Sequence, residues 1–379
     1  MAGPLCGALV TTWARPRVLV ITPDFPPVKG GIQILSHRIA SSFRMLEPTV
    51  VTVDHPAAEA FDRMQTFEIV RVRRQPGRRA FTTLALNAGA TRVALRDRPD
   101  VVLSTHIVVS PTAALLRRQL GIPFVQYVYA KEIGAKPQLA RFALTRADRV
   151  VSISRYTTEL AIAAGAPADR IALISPGVDA PAVTRTDRPL DGPPTVLTIS
   201  RLEDRYKGHD VMLRALPLVR AEVPDVRWHV IGDGPLRQTL EDRAQALGLG
   251  DSVQFLGRVS DEARDEELAR ANAFCMVSRL PAGRFAGEGF GIVYLEANAH
   301  GVPVVAGAVG GATDAVVHGE TGLLVDPQDH VAVADALVAL LRDRDLAERL
   351  ARAGRARVEG FTWEAAGGLV EAELLRVLT

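Results

Sequence analysis

The stretch GEGFGIVYLEANAHG, residues 287–301, holds two glutamates, Glu288 and Glu296, eight residues apart. On one continuous helix they would sit about 80° apart around the axis, so a shared helical face does not explain the pair. The Gly-Phe-Gly between them and the apolar run behind it put Glu288 in a loop. Glu296 then lies about one turn into a helix that begins near Gly291. The amides of Phe290, Gly291, Ile292 and Val293 lie at that helix start, where a phosphate is favoured. A carboxylate offers two acceptors to neighbouring hydroxyls, such as those of a ribose. The spacing therefore suits one carboxylate for each sugar flanking a diphosphate, Glu296 on the ribose and Glu288 on the far side. The alternative is a helix with acidic residues favoured in its first turns.

Two further loops carry residues of matching chemistry. In ISRLEDRYKGHD (199–210), Arg201 ends a strand and Lys207 begins a helix. Together they can clamp a diphosphate, Arg by its fork and Lys as a point charge; otherwise they are two solvated surface cations. Lysine is scarce in this chain. Lys29, Lys131, Lys136 and Lys207 are the only four among 45 basic residues, and three of them follow strand ends. The 41 arginines that remain read as a coding bias, so arginine richness alone says little about function. In TPDFPPVKGGIQ (22–33), Gly30 and Gly31 open a helix and let backbone amides approach an anion. That loop is not a G-x-G-x-x-G, and a tight turn without a ligand is its bland reading.

These loops need a scaffold. Val- and Ile-rich runs recur in VLVITPDF, TVVTVD, VVLSTH, PFVQYVYA, RVVSIS and IALISPGVD, with helical patterns between them. Short buried strands alternating with helices imply a parallel sheet covered on both faces. A proline-rich run, PAVTRTDRPLDGPP (181–194), interrupts the pattern as a linker. The pattern then restarts in TVLTISRL, VRWHVIGDG, SVQFLGRV, AFCMVSRL, VPVVAGAVGG and TGLLVD. The expected organisation is a disordered leader (1–16), a Rossmann-like domain (17–180), the linker, and a second Rossmann-like domain (195–362). A last helix (363–379) is expected to cross back to the first domain. Ligands of doubly wound α/β sheets bind at the carboxyl ends of the strands, here in the cleft between two such domains.

Bulk properties exclude several classes. The chain has 379 residues, enough for two domains of about 180. A net charge of +2 gives no footprint for nucleic acid. Two cysteines, Cys6 and Cys275, form neither a metal spacing nor a disulfide framework, so a reducing cytoplasm is expected. The first basic residue is Arg15, behind the short apolar stretch, which does not fit a signal peptide.

DFPPVKGGIQ, SRL…KG, GDGP, FLGRV, GEGFGIVYLEA, GVPVVAGAVGGATDAV and GETGLLV, in that order, resemble retaining glycosyltransferases of family 4, which have the GT-B fold. The resemblance runs from about residue 17 to the end of the chain. FPPVKGGIQ and EGFGIVYLEA resemble most the actinobacterial phosphatidylinositol mannosyltransferases that add the second mannose. The resemblance implies transfer of a hexose from a GDP- or UDP-sugar to a hydroxyl of a lipid, glycan or secondary metabolite. It implies that Gly30 and Gly31 face the donor phosphate and the acceptor. Arg201 and Lys207 would bind the diphosphate, and the backbone of Val259 the base. Glu288 would contact the donor sugar, Glu296 the ribose, and Gly310 and Gly311 would line the cleft near the donor. No metal or other cofactor is implied. Asp343-Arg344-Asp345 spells D-x-D but reads as a helix cap.

The chain departs from the family pattern at three places. Arg201 and Lys207 are six residues apart, where many members have five, with Tyr206 as the extra residue. Lys131 stands where related sequences carry a histidine, and His106, one strand earlier, is a substitute for it. Asp314 stands where a glutamate is usual. Catalytic candidates are therefore Arg201, Lys207, Glu288, Lys131 and His106. The run RVRRQPGRRAF (71–81) reads as a basic loop of the acceptor domain, suited at residues 71–79 to an anionic membrane at the inner face. Competing readings are a sugar-nucleotide-binding protein without activity and an epimerase or phosphorylase on the same fold. A dinucleotide-dependent dehydrogenase is disfavoured, since IGDGPLR lacks the third glycine of that fingerprint.

Overall fold

The computed structural model describes residues 14–75, 77–181, 183–184, 192–280 and 287–379. Most of the leader and of the linker read from the sequence lies outside these residues. The N-terminal sheet contains β1 (Arg17–Ile21), β2 (Glu47–Val53), β3 (Glu68–Val72), β4 (Val101–Ser104), β5 (Phe124–Val128), β6 (Arg149–Ser152) and β7 (Ile171–Leu173). Its order is β3-β2-β1-β4-β5-β6-β7, and every neighbouring pair is parallel. The C-terminal sheet contains β8 (Thr195–Ile199), β9 (Arg227–Ile231), β10 (Val253–Gly257), β11 (Ala273–Met276), β12 (Val304–Gly307) and β13 (Gly322–Val325). Its order is β10-β9-β8-β11-β12-β13, again all parallel.

Central strands such as β4, β5 and β12 are buried at every position, because helices cover both faces. Strand order reverses between β1 and β4 and again between β8 and β11. These switch points leave a crevice at the strands' carboxyl ends. The loops that follow β1, β4, β8 and β11 hold Gly30, His106, Arg201 with Lys207, and Glu288 respectively.

One segment differs from its sequence reading. The basic run 71–79 is not a single loop, since Arg71 and Val72 end β3 and Arg79 opens the helix Arg79–Asp97. The Arg71 guanidinium donates to Asp62 Oδ1 at 2.7 Å and to the carbonyls of Val53 and Pro26 at 3.0 and 2.7 Å. Its side chain is only 8% exposed, which makes Arg71 part of the fold and leaves Arg73, Arg74, Arg78 and Arg79 as the exposed cations. The segment EIVRV reads poorly as a strand because it lies at the sheet edge, where Glu68 and Arg71 break the apolar run.

The helix Trp363–Arg376 follows the second domain but packs on the first. Glu371 Oε1 accepts the amides of Arg44, Met45 and Leu46 at 2.6–2.8 Å, and Glu373 pairs with Arg149 at 2.5 Å. Where the chain returns, Val178 N donates to Phe361 O at 2.8 Å.

Candidate active site

Two glycine-rich loops of the C-terminal domain lock together. Gly311 N donates to Glu288 O at 2.9 Å, and a Cβ at Gly311 would fall 2.0 Å from Gly289 O. No side chain fits there, so Gly310-Gly311 serves as the floor under Glu288. Gly291 takes a left-handed conformation (φ 89°) and caps the helix Ile292–Ala299, while Phe290 is buried behind it. That helix is fixed to the sheet by Tyr294, whose hydroxyl donates to Met276 O at 2.7 Å.

Lys207 pairs with the carboxylate of Glu288, and each side chain is only 15% exposed. Burial pulls the Lys207 pKa down, but the charge of Glu288, with a smaller part from Tyr206, outweighs it and leaves the pKa raised. Lys207 is thus a fixed cation. It closes a 3-10 turn, Arg205–Lys207, rather than beginning a helix; the helix His209–Glu222 starts after Gly208. Arg201 is 61% exposed, with Glu203 Oε2 at 3.3 Å as its ion-pair partner. A buried cation and an exposed one thus flank the same loop.

Glu296 is half-buried, with Arg264 Nη1 3.9 Å from its Oε1. Its pKa is raised, first by burial, with Arg264 opposing and Asp265, Asp179 and Asp261 adding to the rise. Val259 follows β10 and is partly buried against the core.

The N-terminal domain forms the opposite wall. Gly31 opens the helix Gly31–Ser41, with Gly30 before it, and a Cβ at Gly31 would sit 3.8 Å from Ile292 Cδ1. The glycine pair therefore faces the start of the helix that carries Glu296. His106 Nδ1 lies 2.9 Å from Glu132 Oε2 and 3.1 Å from Val108 N. One nitrogen cannot both donate and accept. The His106 pKa is raised, burial pulling it down and the Glu132 carboxylate more than compensating, so the proton belongs on Nδ1 towards Glu132. Glu132 also accepts Ile107 N and Tyr129 N, at 2.9 and 3.1 Å. Lys131, the residue just before Glu132 on the same helix, Ala130–Ala135, reaches Asp204 of the other domain at 2.8 Å.

Sequence reasoning missed Asp24, Glu132 and Asp204. Asp24 accepts from Gln33 Nε2 at 2.9 Å. Burial raises its pKa, His106 and Arg201 oppose that rise, and Glu132 adds to it. Its place in PDFPP, at the end of β1 beside the glycine pair, was the available signal. Asp314 Oδ1 accepts from Arg155 Nε at 2.8 Å, another contact between the domains. Asp343 caps the helix Arg344–Val358, with Oδ1 accepting Leu346 N at 2.9 Å. Among the described residues no three His, Cys, Asp or Glu side chains group as a metal site.

The cleft thus presents an amide-rich wall bearing Lys207 and Arg201, which suits a diphosphate, and a facing wall on which Asp24, His106 and Glu132 stand beside Lys131. Residues 184–357 match the family Glycosyl transferases group 1, and residues 29–180 match Glycosyltransferase Family 4. The GDP-mannose-dependent alpha-(1-6)-phosphatidylinositol monomannoside mannosyltransferase of Mycolicibacterium smegmatis is 35% identical, over 94% of this chain and 98% of its own. The corresponding enzyme of Corynebacterium glutamicum, named for a monoacylated form of that lipid, is 31% identical over 93% and 96%. Anabaena HepE, solved in complex with UDP and glucose, superposes with a TM-score of 0.79 at 22% identity, over 96% of this chain and 100% of that one. Its likeness concerns the fold, two Rossmann-like domains in the GT-B arrangement. The chain is a glycosyltransferase of family 4.

Proposed function

We propose that the enzyme moves a mannose from GDP-mannose onto a hydroxyl of an anionic lipid, with retention at the anomeric carbon. The observation that carries the reading is the buried Lys207–Glu288 pair at the amide-lined start of the helix Ile292–Ala299. The likeness to GDP-mannose-dependent relatives along nearly the whole of both chains supports the choice of donor. Lys207, Arg201 and the helix amides would take up the charge that gathers on the diphosphate as the C1–O bond breaks towards it. Each such fixed donor contributes about 3–4 kcal/mol to the transition state. The acceptor oxygen would form the new bond to C1 on the same face, and its proton would pass to the leaving phosphate oxygen. Glu288 would hold donor-sugar hydroxyls and Glu296 the ribose. No metal is needed where these cations and amides carry the charge.

The lipid acceptor is supported by the surface beside β3. Arg73, Arg74, Arg78 and Arg79 are exposed there, next to Phe81 and Leu84 at 57% and 66% exposure. Cations beside exposed apolar side chains suit an anionic bilayer surface. No described helix is long and apolar enough to cross a membrane, so this reading is one of peripheral contact.

The test is thermal shift with GDP, UDP and ADP on the wild type and on Glu296→Ala. A rise with GDP alone that the variant loses supports the reading. A rise with UDP alone overturns the choice of donor, and no rise with any of them overturns the donor site.

A further inference from the structure

Lys131, on the helix Ala130–Ala135, and Asp204, in the loop between Arg201 and Lys207, meet across the cleft. Lys131 Nζ donates to Asp204 Oδ2 at 2.8 Å, joining opposite walls of the cleft. Asp204 directly precedes the turn Arg205–Lys207, and its carbonyl accepts Lys207 N at 3.2 Å. The far end of that turn is already fixed. Gly208 is left-handed (φ 83°), a Cβ there would fall 2.3 Å from Val277 O, and Tyr206 O accepts Arg279 N at 2.8 Å. Asp204 is therefore the point at which the opposite wall takes hold of this loop.

The other end of the contact is equally well placed. Lys131 stands between Ala130 and Glu132, and a Cβ at Gly289 would sit 3.8 Å from Ala130 Cβ. Lys131 thus emerges where the acceptor wall touches the loop that carries Glu288. Among the described residues, Lys29–Asp261 at 3.2 Å and Arg155–Asp314 at 2.8 Å also bridge the domains, but neither touches the loop from Arg201 to Lys207. An ion pair this exposed adds little to stability, so its effect lies in where it holds the loop.

We propose that Lys131 and Asp204 are a positioning pair, joined across the cleft so that Lys207 meets the diphosphate. Lys131 then exchanges no proton with substrate. The proposal rests on the donor reading above.

The test uses Lys131→Met, Asp204→Asn, their double variant, and the exchange Lys131→Asp with Asp204→Lys. Small-angle scattering of the unliganded protein comes first. Each single variant should enlarge the radius of gyration equally, the double no further, and the exchange should restore it. High salt should move the wild type the same way. Calorimetry with GDP comes second. Each single variant should weaken binding by about 3-fold, and the double by no more than either alone.

Unchanged scattering in the single variants, or effects that multiply in the double, overturns the pair. A fall of about 100-fold in kcat for Lys131→Met with GDP binding intact marks a proton-transfer group and also overturns it. If the wild type binds no nucleoside diphosphate, the donor reading fails, while scattering still decides whether the pair holds the domains.

Discussion

The two walls of the cleft are built on the same kind of sheet but hold their polar groups in different ways. On the C-terminal wall, Lys207 and Arg201 stand over interlocked glycine loops whose backbone leaves no room for change. On the N-terminal wall, His106 and Glu132 are held by each other and by a few amides, and Asp24 by Gln33. On the function proposed above, the difference separates two tasks. A diphosphate is the same in every donor, and a rigid backbone cradle suits it. Acceptors differ, and a wall recognising hydroxyls through side chains can be altered residue by residue.

The largest blow to this contrast should come from Lys207→Met. Losing the fixed cation is expected to lower kcat by about 100- to 1000-fold, measured as nucleotide released from the sugar donor. It should also leave Glu288 buried without its partner, seen as a lower midpoint of thermal unfolding. A variant with kcat near wild type would show that the cationic wall does not act on the diphosphate.

Next comes His209, which lies behind the same wall with its Nε2 2.9 Å from Ser200 Oγ. Burial, with help from Lys207, pushes its pKa down to about 4 from 6.5. The folded state therefore holds it neutral. The stability this confers is full above the unfolded value and is lost as pH falls from about 6.5 towards 4, by about 3 kcal/mol. Urea unfolding at several pH values should show that fall, and His209→Gln should lack it.

On the N-terminal wall, Asp24→Asn should raise the acceptor KM by about 10-fold or more, as expected for a lost hydrogen bond to a charged group. GDP affinity should stay as in the wild type, which calorimetry can check. Loss of GDP binding instead would erase the division between the walls. The smallest effect is expected outside the cleft. Each Arg→Gln change at Arg73, Arg74, Arg78 or Arg79 should weaken binding to anionic liposomes by about 1 kcal/mol in cosedimentation. Binding that ignores anionic lipid would remove the membrane from the acceptor reading.

The sequence showed these walls unequally. Strands such as VVLS and FVQYV are legible because a strand buried on both faces is written in apolar residues alone. β3 is not, because an edge strand tolerates Glu68 and Arg71, and because Arg71 finds its partners at Asp62, Val53 and Pro26. Within the cleft, Arg201, Lys207, Glu288 and Glu296 stood out because each lies in or just after a loop that follows a strand, although Lys207 closes a 3-10 turn where a helix start was expected. What stayed hidden was pairing. Lys207 meets Glu288 across 81 residues and Lys131 meets Asp204 across 73, and no local spacing announces either. Asp24 and Glu132 were overlooked for the same reason, since each is unremarkable until the fold brings it near His106.

The return of the last helix to the first domain has a mechanical consequence. The chain passes between the domains twice, once leaving the first domain near residue 178 and once coming back near residue 361. The two passages are joined by Val178 N to Phe361 O, and the backbone at Trp363 leaves no space for a side chain at Gly177. Two ribbons bonded side by side bend easily about one line and resist sliding or twisting apart. The domains should therefore swing like a book about its spine, the cross-cleft ion pairs acting as clasps away from that spine. Cutting the chain after Phe361 would remove one of the two ribbons and, with Glu371, the anchor that ties the moving cover to residues 44–46.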